Sequence, residues 1–333
     1  MKSQTKLGIA LWGTYPVAKL VEQVQQAEAI GLESVWVIDS QLICRDVFVT
    51  LAACLANTSR IKIGTGVTQP RTRHVSTTAS ALATLDEMFP GRVTAGVGTG
   101  FSSLRTLGMP AARLAELEQF VSDLRTLFRK ENVEFENGVS ATLEWLQDTC
   151  QTQVLVAASG PKATRVAAAI GDGAILLQGV APHLVDRGLG WLDEGAAESG
   201  RDLSDFPVTN WVAFGIGRDA ASAKDDVRAR VASVVMQARP EWFEGADREA
   251  YVKLKDSYDS LKHAASKPDH SALISDRMIA DYAIAGDAED VREQLKAAMA
   301  HPRLDRVVLT SQGGSITLDE VLRVLGDDVL PKM

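Results

Sequence analysis

Short apolar runs alternate with longer amphipathic stretches along almost the whole chain. Residues 7–11 predict a first strand. Residues 16–30 follow with Val17, Leu20, Val21, Val24 and Ala27 at helical spacing, and Gly31 supplies a favourable stop. The same alternation predicts strands at 34–38, 61–65, 93–97, 154–158, 173–177, 208–216 and 306–310. Helices are predicted at 46–57, 74–88, 111–130, 162–170, 182–199, 287–300 and 318–329, with further helical segments from 220 to about 262. The strands consist mainly of Val, Ile, Leu and Ala with little polar alternation, as expected where both faces are buried. Eight strands, each followed by at least one helix, predict an α/β fold of the (β/α)8 TIM-barrel type rather than an open doubly wound sheet.

Residues 1–333 read as one domain, with no internal repeat or low-complexity segment. Two stretches exceed a minimal βα unit. One is 131–152. The other, 239–286, is rich in charge, contains Pro240, His263, Pro268 and His270, and is expected to form a helical and loop insertion near the barrel mouth. Its alternative is a helical hairpin packed on the outside.

The chain has 333 residues, 46% of them hydrophobic, enough for one large core. Its 35 basic and 43 acidic residues give a net charge of −8, which argues against a nucleic-acid partner, since a phosphate backbone demands clustered Lys and Arg. The three cysteines, Cys44, Cys54 and Cys150, are odd in number and lack CxxC spacing, against a disulfide scaffold or a zinc site. Cys44, near a strand end, reads as a small half-buried hydrophobe rather than a reactive thiol. No apolar run reaches membrane-spanning length, and the N-terminal segment lacks a signal-peptide pattern. The expectation is a soluble cytoplasmic protein with no membrane partner.

Barrel active sites form at the C-terminal ends of the strands. The residues there are mostly Gly, Ser, Thr and Gln: Ser40 and Gln41, Gly64 to Gln69, Gly98 to Ser102, Ser159 and Gly160, Gln178 and Gly179, and Thr310 to Gly314. Only Asp39 and Lys162 ionise. No Ser-His-Asp or Cys-His set, no carboxylate pair and no metal-ligand cluster falls on these ends. The pattern suits a flat, polar cofactor that carries the reactivity itself, while the protein orients it and excludes water. Ser159-Gly160-Pro161-Lys162 joins a strand to a helix, so free N–H groups and a close-approach glycine suggest a phosphate seat, with Gln178 and Gly179 beside it. An ordinary helix start is the alternative. Gly96-Val97-Gly98-Thr99-Gly100 lacks the third-glycine spacing and the downstream acid of a dinucleotide fingerprint.

Residues 61–100, with GVTQP, LATLDE, Gly91-Arg92 and GVGTG in order, resemble the signature region of the bacterial luciferase-like superfamily, nearest to methylenetetrahydromethanopterin reductase-like members. The resemblance extends from GLESVWVIDS through ASGPKATRVAAAIGDGAIL to the last strand. It implies a barrel, usually a homodimer, with a flavin or deazaflavin ring in the mouth and its phosphate near the fifth and sixth strands. It also implies a bulged third strand, often with a non-prolyl cis peptide, mapping onto Gly64-Thr65-Gly66. Relatives often carry Asp-His after the second strand, where this chain has Asp39-Ser40, and His-Pro after the third, where it has His74-Val75.

The cofactor-binding candidates are therefore Asp39, Gly64, Thr65, Thr68, Gly98, Thr99, Ser159, Gly160, Lys162, Gln178 and Gly179. Asp39, Thr65 and His74 are candidates for a catalytic role, and His74 reads equally as a helix cap. Candidate substrate walls are Trp12, Phe48, Phe101, Trp211 and the 239–286 insertion. Three functions follow. One is a two-component monooxygenase acting on a small organic substrate with O2 and with reduced FMN delivered by a separate flavin reductase. The second is a coenzyme F420-dependent reductase or dehydrogenase, in which Arg45, Arg71, Arg73 and Arg105 would form a basic groove for the acidic tail. The third is a non-catalytic flavin-binding paralogue. The motif match favours F420; the missing histidine and the acidic balance favour FMN, and the sequence alone leans to FMN.

Overall fold

In the computed structural model, which describes residues 5–135, 137–259, 262, 265, 267–311 and 313–333, eight parallel strands close into a barrel with helices outside. The first half contains β1 (Lys6–Leu11), α1 (Val17–Ala29), β2 (Ser34–Val37), α2 (Val47–Ala56), β3 (Lys62–Thr65), α3 (Val75–Met88), β4 (Val93–Val97), α4 (Ser102–Arg105) and α5 (Leu114–Phe128). A two-stranded antiparallel hairpin follows, β5 (Val133–Glu134) and β6 (Ser140–Ala141). The second half contains β7 (Gln153–Ala158), α6 (Pro161–Ile170), β8 (Gly173–Leu176), α7 (Pro182–Ser199), β9 (Val208–Ile216), α8 (Ala220–Val235), α9 (Gly245–Ser257), α10 (Asp276–Tyr282), β10 (Ala283–Gly286), α11 (Ala288–Met299), β11 (Arg306–Thr310) and α12 (Leu318–Val324). The barrel runs β1-β2-β3-β4-β7-β8-β9-β11 and closes by pairing β11 with β1, Lys6 opposite Arg306.

The eight strands anticipated from the apolar runs are the barrel strands. The structure adds β10, whose four residues pair with Ala213–Ile216 of β9, on the edge that β8 occupies lower down. Its AIAG sequence is too short to stand out against the helical signals on either side. The helical run expected from 220 to about 262 is divided. Pro240, which has no backbone N–H, opens a short 3-10 turn between α8 and α9.

The outer core lies between strands and helices and includes Val24, Leu51, Leu82, Leu124 and Leu322, all fully buried or nearly so. A second apolar cluster joins α8 to the 239–286 segment through Val227, Val231, Val235, Tyr251, Leu254, Met278 and Ile279. That segment therefore packs on α8. Its Tyr258 also reaches the barrel mouth, 6.0 Å ring to ring from Phe101. His263, singled out from the sequence, lies outside the described residues, as does Gln312. No helix among the described residues is long and apolar enough to cross a membrane.

The barrel interior is filled by Trp36, Trp211, Trp12, Ile175, Leu155 and Val308. Trp36 is 1% exposed and meets Trp211 edge-on, with centroids 5.8 Å apart. Gly64 makes room for it: a Cβ there would stand 2.8 Å from the Trp36 ring. This plug sets the floor of the space above.

Candidate functional site

Every barrel strand contributes to one cavity at the C-terminal mouth, with about 1060 Å³ of atom-free space open to solvent. Its wall takes Trp12 after β1, Ile38 and Asp39 after β2, Gly66 and Val67 after β3, and Gly98 to Ser103 after β4. Ala157 to Ser159, Ile175 and Leu177, Trp211 to Ala213, and Thr310 complete the circle. Arg230, Ser233 and Val234 of α8, with Gln237 just beyond it, form the remaining side. An opening of this kind at the strand C-termini is where barrel enzymes work.

The third strand is bulged. The chain leaves β3 at Thr65, and the Gly66–Val67 peptide is cis. The amide of Thr68 then donates to Gly96 O, and that of Gly98 donates to Thr68 O, which restores pairing with β4. The resemblance had mapped a cis bond onto Gly64-Thr65-Gly66; it lies one bond further on. Gly66 and Val67 both face the cavity.

Of the residues selected from sequence, Asp39, Gly98, Thr99 and Ser159 come together on the cavity wall. Asp39 is 5% exposed, and its carboxylate pairs with Arg73 at 2.6 Å and accepts from Gln41 at 2.9 Å. Ser40 shares a 2.7 Å hydroxyl–hydroxyl hydrogen bond with cavity-lining Ser102. Among the described residues no imidazole lines the cavity.

The other selected residues support the wall from behind. Gly64 clears space for Trp36, and the Thr65 hydroxyl is spent on Gly96 O at 2.8 Å. Thr68 is fully buried beside the cis bond. Gln178 is 1% exposed and donates to Ser159 O at 3.0 Å, which fixes the turn before α6. Gly179, at φ +98°, lets its loop lie against Asp281; a Cβ there would stand 2.5 Å from Asp281 O. Lys162 is exposed on α6. Gly160 caps α6, and the space where its Cβ would sit is open. His74 is the N-cap of α3, exposed, with Nδ1 accepting from Ser76 N and its ring tilted against Phe135. The capping reading of His74 is therefore the one realised.

Among the wall candidates, Trp12, Phe101 and Trp211 line the cavity, whereas Phe48 faces an outer groove between α2 and α3. The expected basic groove is not assembled. Arg71 pairs with Glu116 at 2.8 Å, Arg73 with Asp39 and Asp46, Arg45 donates to the carbonyls of Gly13 and Thr14, and Arg105 lies over the Phe101 ring. Burial pushes the Cys44 thiol up to about 11, which removes thiolate at neutral pH. No group of His, Cys, Asp or Glu able to hold a metal ion occurs among the described residues.

Sequence reasoning missed Arg230. It is 6% exposed, lines the cavity, and holds its guanidinium 4.9 Å over the Trp12 ring. Burial pulls it down to about 10, partly opposed by the nearby Tyr258 phenol, so it is charged at neutral pH. Its place in an amphipathic helix, well away from a strand end, gave no signal.

The site fits a planar tricyclic cofactor. Glycines 66, 98 and 100 and Trp12 and Trp211 line the cavity beside the hydroxyl residues Thr99, Ser102 and Ser159, with Asp39 and Arg230 as its charged groups. The Trp211 indole N–H is buried without an acceptor among the described residues, a donor available to a polar ring edge. Ser159 and Ala163 bring the first turn of α6 to the cavity, where its unpaired amides suit a phosphate.

The chain is 28% identical over 296 residues to the 5,10-methylenetetrahydromethanopterin reductase of Methanolobus tindarius, covering 86% of this chain and 89% of that one. It is 34% identical over 189 residues to the F420-dependent glucose-6-phosphate dehydrogenase of Nakamurella multipartita, covering 54% and 56%. The solved coenzyme F420-dependent tetrahydromethanopterin reductase of Methanopyrus kandleri has the same fold, with a TM-score of 0.80 at 23% identity over 99% of each chain. Residues 3–305 match the luciferase-like monooxygenase family, and the chain belongs to that family.

Proposed function

We propose that this protein is an F420-dependent oxidoreductase that moves a hydride between the deazaflavin and a carbon centre of a small organic substrate. The observation that carries the reading is the mouth cavity, to which all eight strand ends contribute, lined by glycines, tryptophans and hydroxyls with Asp39 and Arg230 as its charged groups. Its one strand-end carboxylate, Asp39, is already neutralised by Arg73. Hydrolysis by acid–base catalysis would need free titratable groups there. The F420-dependent glucose-6-phosphate dehydrogenase among its relatives moves the choice of cofactor away from FMN, toward which the sequence alone leaned. With F420 the separate flavin reductase has no role.

The bound deazaflavin supplies the carbon that accepts or donates the hydride. The chain's own residues bind and orient. Gly66, Gly98 and Gly100 let the ring lie against backbone, and the α6 first turn with Ser159 and Gly160 holds the phosphate. The Trp211 N–H and Thr99 are placed to meet polar edges. Trp36 closes the floor, and Phe101 with Tyr258 shields the rim from water. The Ser40–Ser102 hydroxyl pair offers a neutral hydrogen bond to a substrate oxygen.

We also assign the exposed apolar face of α2 and α3 to self-association as a homodimer. Val49 and Met88 are 65% and 55% exposed there, beside Phe48, Ala52 and Ala81.

The test is an anaerobic titration with F420 and with FMN in both redox states. F420 should bind about tenfold or more tighter than FMN, a gap of about 1.4 kcal/mol or more. Tight binding of reduced FMN with oxygen uptake would instead select the monooxygenase reading.

A further inference from the structure

Arg230 is a buried cation without a counter-ion among the described residues. Among the described residues it forms no ion pair, and its one side-chain hydrogen bond is donated from Nη2 to Ser233 Oγ. That hydroxyl in turn donates to the Arg230 carbonyl at 2.8 Å, so it brings no negative charge. A guanidinium carries five N–H donors in a fixed fork. Most of this fork has no acceptor among the described residues, although the residue is 6% exposed and lies in the cavity wall. Burying an uncompensated charge is strongly unfavourable, so such a group persists where something else neutralises it.

The surroundings say where the partner sits. Arg230, Ser233 and Gln237 recur at helical spacing and all line the cavity, a polar stripe on one side. Around it the wall is apolar: Trp12, Leu177, Val212, Ala213 and Val234. The Trp12 ring beneath the guanidinium fixes its plane. Asp39, the strand-end acid, is held by Arg73 and does not pair with Arg230. The α6 amides suited to a cofactor phosphate follow β7, whereas Arg230 belongs to the helix after β9.

We propose that the Arg230 fork, with Ser233 and Gln237, is the substrate-recognition site and that the substrate is a small organic acid bound through its carboxylate. The assignment rests on the cavity being the redox site proposed above, and it deepens that reading by naming the substrate class. A planar carboxylate matches a guanidinium through two parallel hydrogen bonds, which a neutral amide of the same shape cannot reproduce.

The experiment measures binding of benzoate against benzamide, and propionate against propionamide, by calorimetry, to the full chain with and without F420. An Arg230→Gln variant and an Arg230→Lys variant are run beside it. The expected result is a carboxylate preference of about tenfold or more in the native chain, lost in Arg230→Gln and only partly kept in Arg230→Lys. F420 affinity should stay within about twofold in both variants. Equal affinity for acid and amide in the native chain overturns the proposal, and needs no variant to fold. A selective loss of F420 binding in Arg230→Gln also overturns it, because the arginine would then hold an acidic group of the cofactor. Failure of the native chain to bind F420, with the carboxylate preference intact, would sink the redox reading alone.

Discussion

Arg73 Nη1 lies 2.6 Å from Asp39 Oδ2, and Nη2 of the same guanidinium lies 2.9 Å from Asp46 Oδ2. One cation thus ties the acid at the end of β2 to the residue that caps α2. The two carboxylates differ in exposure, 3% for the Asp39 side chain and 47% for that of Asp46. Arg73 also covers the Phe48 ring at 5.1 Å, so its loss would cost packing as well as charge.

This geometry predicts an asymmetry. Arg73→Met strands a buried carboxylate on the cavity wall and should destabilise the fold by about 3–5 kcal/mol. Asp39→Asn leaves Arg73 paired with Asp46 and should cost about 1–3 kcal/mol. Urea midpoints at neutral pH measure both. Equal losses would show that the pair is not the unit that holds the β2 end.

The barrel was legible because its signals are local and repeated: each apolar run of Val, Ile and Leu is a strand, and each periodic stretch is its helix. The cavity wall was legible where it coincides with strand ends in sequence, as at Asp39, Gly98, Thr99 and Ser159, with Trp12, Phe101 and Trp211 beside them. Glycine and threonine look the same whether they line a cavity or clear space behind it. Gly64 and Thr65 serve Trp36 and the β4 backbone, and that follows from packing across strands. His74 carried the right chemistry, but its position at the start of α3 spends the ring on a cap. Arg230 escaped notice for the opposite reason: an arginine in a helix is ordinary until the helix is seen to wall a cavity.

Glu33 provides a pH prediction at the opposite end of the barrel. Its carboxylate accepts from Arg306 Nε at 2.7 Å and Nη2 at 3.0 Å, a two-pronged pair between the residue before β2 and the first residue of β11. Burial, the largest single influence, works to raise its pKa, but the hydrogen bond and charge of Arg306 together with the charges of Lys62 and Lys6 outweigh it and hold the group below its ordinary 4.5. A depressed carboxylate adds stability that is present above the unfolded value and lost as pH falls through the folded one. The stability difference between the native chain and Glu33→Gln should therefore be largest at neutral pH and shrink below about pH 4.5. Denaturant midpoints across that range check the sign, and a difference that grows on acidification would contradict it.

The α2–α3 face predicts an oligomer that one charge can break. Val49 is 65% exposed, so Val49→Asp should change monomer stability by no more than about 0.5 kcal/mol. In a homodimer built on that face the same substitution buries an unpaired carboxylate and should shift the chain to monomer. Sedimentation at matched concentration reads the change. A native chain that is already monomeric would remove the assignment.

Two neighbouring glycines separate fold from function. Gly96 lies behind the cavity wall, and a Cβ there would stand 2.2 Å from Thr65 O, a backbone atom that cannot swing away. Gly96→Ala should therefore lower stability by at least about 1–3 kcal/mol through overpacking. Gly98 lines the cavity, and its Cβ would stand 3.0 Å from Val67 Cγ2, which can yield slightly, with the new methyl entering the space assigned to the ring. Gly98→Ala should keep its melting temperature close to native yet bind F420 about tenfold or more weakly. Melting curves and fluorescence titration on the same samples make the comparison. If Gly98→Ala bound F420 as tightly as the native chain, the ring would have to lie elsewhere in the mouth, against Trp12 and the α8 stripe rather than against the β4 turn.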